Sequence, residues 1–93
     1  GGEFVTKPIT FTGKNLLINF STSAAGSVFV EIQDISGRAI EGFTVNDCTE
    51  IFGDKIEHAV EFNGNTDISK LESIPIRLRF ILKDADLYSI RFN

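Results

Sequence analysis

Methionine and tryptophan are both missing from this chain of 93 residues, and cysteine, tyrosine and histidine occur once each. Without a methionine, and with Gly1-Gly2 where an initiator or export signal would stand, the chain reads as a piece excised from a larger exported protein. The lone Cys48 has no partner for an internal disulfide and no second thiol for a zinc site. It leaves the redox compartment open, since an exported bacterial protein can lack disulfides. Nine basic residues against thirteen acidic ones give a net charge of −4. That balance argues against a nucleic-acid backbone as partner, because such binders concentrate Lys and Arg, and it disfavours an anionic membrane surface for the same reason. No apolar run approaches the roughly 20 residues that span a bilayer.

Nine phenylalanines are present to build an interior. A chain this short supports one domain over residues 1–93, burying about 60–65% of the surface its unfolded form exposes. Apolar residues alternate with polar ones over most of the length, and Gly, Asn, Asp and Ser bound each run, which is the pattern of strands and turns.

Phe4 to Thr6 and Ile9 to Thr12 are short runs around Lys7-Pro8, where the missing proline donor favours an edge strand. Leu16, Ile18 and Phe20 should face the core, then Val28, Val30 and Ile32, with a loop at Ala24-Ala25-Gly26 between them. Phe29, Glu31 and Gln33 take the other face. Ser36-Gly37 is a turn, and Ala39 to Val45 a weaker strand. Ile56, His58, Val60 and Phe62 form a further inward set, followed by the loop Gly64 to Asp67 and a short helical turn over Ile68 to Leu71. Ile76, Leu78, Phe80 and Leu82, then Tyr88, Ile90 and Phe92, face inward from two last strands joined by a turn at Asp84-Ala85-Asp86. Seven to eight short strands of this kind predict an all-β, two-sheet antiparallel sandwich of Greek-key or jelly-roll type.

Catalytic machinery is hard to find. Asp47, Glu50 and Asp54 share an irregular segment and admit three readings: a capped helical turn in which Asp47 caps and Glu50 returns the bond, a calcium loop, or plain solvated charge. Used with His58 as acid and base, they fit the spacing of hydrolytic sites poorly. His58 reads as a hydrogen-bonded histidine at the rim, and Cys48, with no basic neighbour in sequence, as a half-buried thiol. Asp84 and Asp86 read as turn formers. No residue is assigned a catalytic or cofactor-binding role. On the outward register, Leu17, Phe29 and Ile81 make an apolar patch bordered by Arg77 and Arg79, and a patch of this kind predicts docking against a partner.

Three stretches carry a resemblance: Ser21 to Asp34, reading STSAAGSVFVEIQD, Asp47 to Asp54, reading DCTEIFGD, and Leu78 to Phe92, reading LRFILKDADLYSIRF. Together they resemble the C-terminal β-sandwich domain of bacterial glycoside hydrolase-like proteins, in which it follows a five-bladed β-propeller of the fructosidase and arabinanase type. The resemblance runs from about Phe4 to Phe92. It implies a secreted or periplasmic protein acting on polysaccharide, with the catalytic carboxylates in the propeller and this domain as a non-catalytic accessory to it. A carbohydrate-binding module is the alternative, although Phe62 stands where an aromatic such as Trp is expected before the Gly-Asn loop. A calcium-stabilised structural domain is the second alternative.

Overall fold

The computed structural model describes residues 2–93. The chain is all-β, built on one four-stranded antiparallel sheet. Its strands are β1 (Gly2–Val5), β2 (Leu16–Gln33), β3 (Asp54–Ala59) and β4 (Arg77–Phe92), in the order β1-β4-β2-β3. The two central strands pair over their whole length, from Leu16 opposite Phe92 to Gln33 opposite Arg77. β1 flanks β4 along Arg79 to Leu82, and β3 flanks β2 along Leu17 to Ser21. The two short strands therefore cover opposite ends of the central pair. β1 is an edge strand, in keeping with Lys7-Pro8 just beyond it.

Four of the expected strands are thus two. The run from Asn15 to Ser21 and the run from Ser27 to Asp34 fuse into β2, and those on either side of Asp84 fuse into β4. The turn residues between them face each other across the ladder. Thr22 pairs with Ala85 and Ser27 with Lys83, so four residues on β2 lie opposite Asp84 alone. Small and turn-prone residues accommodate a wide bulge here as readily as a chain reversal, and a bulge bends both strands without parting them. Asp84 takes φ 45° at that bend. Ala39 to Val45 is not a strand. It makes a single bridge, Ala39 to Gln33, and then turns. Ile9 likewise bridges only Ile76.

The core lies between the inner face of the sheet and a layer of irregular segments. The sheet contributes Leu16, Ile18, Phe20, Val28, Val30, Ile32, Leu78 and Phe80, as their alternation predicts. The layer above contributes Phe43, Ile51, Val60, Phe62, Ile68 and Leu71, pinned by isolated bridges such as Val28 to Ile51 and Cys48 to Phe62. Each such side chain stabilises by about 1.5–3 kcal/mol when fully buried. Aromatic pairs close the ends: Phe4 stacks on Phe80 at 5.1 Å and Phe11 on Phe92 at 4.5 Å. The expected helical turn is present as a 3-10 turn over Ser69–Leu71.

Two inward assignments are corrected. Ile56 is 84% exposed, because Glu57 adopts φ 55° and inserts an extra residue into β3, reversing the alternation. Tyr88 is 66% exposed for a similar reason: β4 advances two residues, from Leu87 to Ser89, while β2 advances one, from Phe20 to Asn19. The Tyr88 hydroxyl pairs with the Ser21 hydroxyl at 2.9 Å.

Candidate functional site

One end of the sheet's outer face holds four of the five residues expected to form an interface. Phe29 lies directly opposite Ile81, and Ile81 opposite Glu3, so β2, β4 and β1 contribute one continuous rung. The next rung is Glu31, Arg79 and Val5, and beyond it Gln33 faces Arg77. Period-two alternation places all of these side chains on one surface. Phe29 and Ile81 are half-buried.

Arg79 and the two carboxylates on this surface are paired with one another. The Arg79 guanidinium donates to the Glu3 carboxylate at 2.7 Å and to Glu31 at 3.4 Å, bridging three strands. Gln33 donates its amide to Glu31 at 2.9 Å, and the Val45 N–H reaches the other Glu31 oxygen at 3.3 Å. Arg77 donates to the backbone carbonyls of Ile35 and Thr6. Glu31 is only 7% exposed, yet among the described residues no buried side-chain nitrogen or oxygen lacks a partner. Alternation places Glu31 and Gln33 on this face with Phe29, but their link to Arg79, and that of Glu3, escapes sequence reasoning because it requires the strand order.

Leu17 does not belong to this patch. It pairs with Arg91 and Ala59 at the far end of β2, is 8% exposed, and is separated from Phe29 by both register shifts in that strand. Its end of the outer face is polar: Asn19 donates to the Ser89 hydroxyl, and Arg91 donates to Glu57 at 2.6 Å.

Asp47 does not cap a helical turn: it closes the turn Thr44–Asp47, its N–H donating to the Thr44 carbonyl at 3.0 Å. Its Oδ2 accepts from the Thr44 N–H at 3.0 Å and from the Thr44 hydroxyl at 2.9 Å, so both of these bonds run back to Thr44 and none to Glu50. Those two bonds hold its pKa below the usual aspartate value. Glu50 and Asp54 are exposed. Among the described residues, no three His, Cys, Asp or Glu side chains come together as a metal ion would require. Cys48 is buried, its Sγ accepting from the Val30 N–H at 3.4 Å, and burial pushes the thiol pKa up. His58 meets the edge of Phe20 at 5.6 Å, an aromatic contact in place of the expected hydrogen bond. Burial pushes the His58 pKa down, helped by Lys55 and opposed by Glu61.

Stability should therefore fall on acidification in two stages. His58 has a folded pKa below its ordinary 6.5, so its contribution is complete above that pH and is lost as pH falls through the folded value. For Glu31, burial raises the pKa, but hydrogen bonds from Gln33 and Val45 and the charge of Arg79 outweigh it, leaving a folded value below 4.5. Its contribution is complete above 4.5 and lost as pH falls through the lower folded value. Urea midpoints measured across this range should decline in both windows, and Glu31→Gln should shrink the lower one while leaving the upper intact. An undiminished lower stage would refute the role given to Glu31.

A concavity lies in the irregular layer. Phe43 and Phe62 meet edge-to-face at 5.3 Å and form its floor, with Asn63, Asn65, Asp67 and Lys70 around the rim. Its volume is about 300 Å³. Asn63 and Gly64, at φ 53° and 77°, make the tight turn that brings Phe62 and Asn65 into paired backbone hydrogen bonds.

Compared with family models, with curated proteins and with solved structures, the chain matched none.

Proposed function

We propose that this chain is a non-catalytic accessory domain that docks through the outer face of its sheet. The observation that carries the reading is the Phe29 and Ile81 pair, set half-exposed in a frame of polar groups already satisfied by one another. Protein interfaces combine an apolar centre enriched in aromatic residues and arginine with a polar rim. Burying an unpaired charge on association is costly. Arg79, with Glu3 and Glu31 already upon it, is relieved of that cost.

The resemblance supplies the partner: the β-propeller region of a secreted or periplasmic glycoside hydrolase-like protein, within the same parent chain. In this reading the bends in β2 and β4 turn the sheet into the two walls of a sandwich, one wall presenting the docking face. Any chemistry on polysaccharide belongs to the propeller.

The test is amide hydrogen exchange on the parent protein and on this chain alone. Residues 27–33 and 77–83 should be more protected in the parent. The pair of substitutions Phe29→Glu and Ile81→Glu should remove that extra protection while leaving the isolated chain folded. Equal exchange in parent and isolated chain would overturn the proposal.

A further inference from the structure

The cleft over Phe43 and Phe62 shares no residue with the outer face, and its chemistry points to a small ligand. Its volume is at the lower end of ligand pockets, enough for a single ring with its substituents. The two phenylalanines show little surface, 6% and 3%, so the floor is apolar but narrow. Affinity must come largely from the rim.

The rim alternates donors and acceptors. The Asn65 Oδ1 is occupied by the Asp67 N–H at 2.9 Å, leaving its amide NH₂ to donate. Asp67 Oδ1 accepts from the Ser69 N–H at 2.8 Å and the carboxylate also accepts from the Ser69 hydroxyl, with lone pairs remaining to accept from a ligand. Lys70 holds its ammonium 5.2 Å from the centre of the Phe43 ring, with no ion pair among the described residues. A free donor, a free acceptor and a second donor suit hydroxyl groups, each of which both gives and takes a hydrogen bond. Within the rim the opposite charges of Asp67 and Lys70 offset each other, while Lys14 acts on Asp67 from outside the lining. Asn63 closes one side and contributes less, since its side chain hydrogen-bonds Asp47.

We propose that this cleft binds a neutral sugar ring, seated over the narrow apolar strip that Phe43 and Phe62 leave uncovered and held chiefly by its hydroxyls on Asn65, Asp67 and Lys70. The proposal is independent of docking through the outer face: either can fail alone.

The experiment is a ¹H–¹⁵N NMR titration of the folded chain with glucose, galactose, arabinose and xylose, and with glucuronate and inorganic phosphate as anionic comparisons. At least one neutral sugar should shift the Asn65 side-chain amide and the backbone amides of residues 62–70, saturating in the millimolar range. Asp67→Asn keeps one oxygen as an acceptor for Ser69 and replaces the other with a donor. Lys70→Met keeps the chain over Phe43 and loses the donor. Each should weaken binding about two- to tenfold, the usual worth of one hydrogen bond. Saturation by the anions only, shifts confined to other surfaces, or no shift with any probe would each overturn the proposal.

Discussion

Replacing Phe80 with alanine should destabilise the chain by about 3–5 kcal/mol, the usual cost of truncating a phenylalanine at a site that cannot collapse. Phe80 is fully buried in the middle of the sheet's inner face, between Val30 on β2 and Phe4 on β1. Phe4 stacks on it from the edge strand. Both flanks are held by backbone ladders, so little can move in to fill the gap. A domain of this size has about 5–15 kcal/mol of stability in all, and this one change removes a large share of it. Urea denaturation checks the figure. Phe4→Ala provides the comparison: Phe4 is 44% exposed, and its loss should cost about 1 kcal/mol, near the centre of the distribution for point mutants. Equal costs at the two positions would mean that the core is not centred where the fold places it.

The substitution Gly26→Ala should be almost as damaging, although it adds only one methyl group. A Cβ at this position would meet the Asp84 carbonyl oxygen well inside van der Waals contact and the Lys83 carbonyl oxygen at 2.7 Å. Both are backbone atoms of the strand opposite, so no side-chain rotation relieves the clash. Asp84 is already at φ 45°, a conformation that non-glycine residues adopt uncommonly, so its carbonyl has little freedom to turn aside. The expected loss is about 1–3 kcal/mol, typical of overpacking. Gly2→Ala, where nothing lies within 4 Å, should be nearly silent. A neutral Gly26→Ala would show that the bulge is wider than drawn.

Alternation identified the inner face wherever a strand runs without interruption. Val28, Val30 and Ile32, and Ile76, Leu78 and Phe80, are buried as expected. It failed where an extra residue enters. Along β4 the inward residues are even-numbered up to Leu82, odd-numbered at Ala85 and Leu87, and even-numbered again at Ile90 and Phe92. The two bulges cancel, so the ends of the strand fit one pattern while Tyr88 in the middle violates it. Composition does not announce a bulge: Asp84-Ala85-Asp86 would serve a hairpin equally well. The outer patch was legible in part for a related reason. Phe29, Ile81, Arg77 and Arg79 declare themselves by register. Register also puts Glu31 on that face, and only the strand order reveals that Arg79 and Val45 enclose it.

The central ladder also governs how the chain must find its structure. Its closest rung in sequence joins Gln33 to Arg77, and its farthest joins Leu16 to Phe92, with all of residues 34–76 between the two strands. Neither central strand can pair with a near neighbour first, so loop-closure entropy opposes pairing before any contact offsets it. Chains dominated by such distant pairings fold in milliseconds to seconds instead of microseconds. During that interval β2, with Leu16-Leu17-Ile18 and Val28-Phe29-Val30, is an unpaired apolar segment open to association with its own kind, and Asp84, Asp86 and Lys83 on its future partner cannot yet shield it.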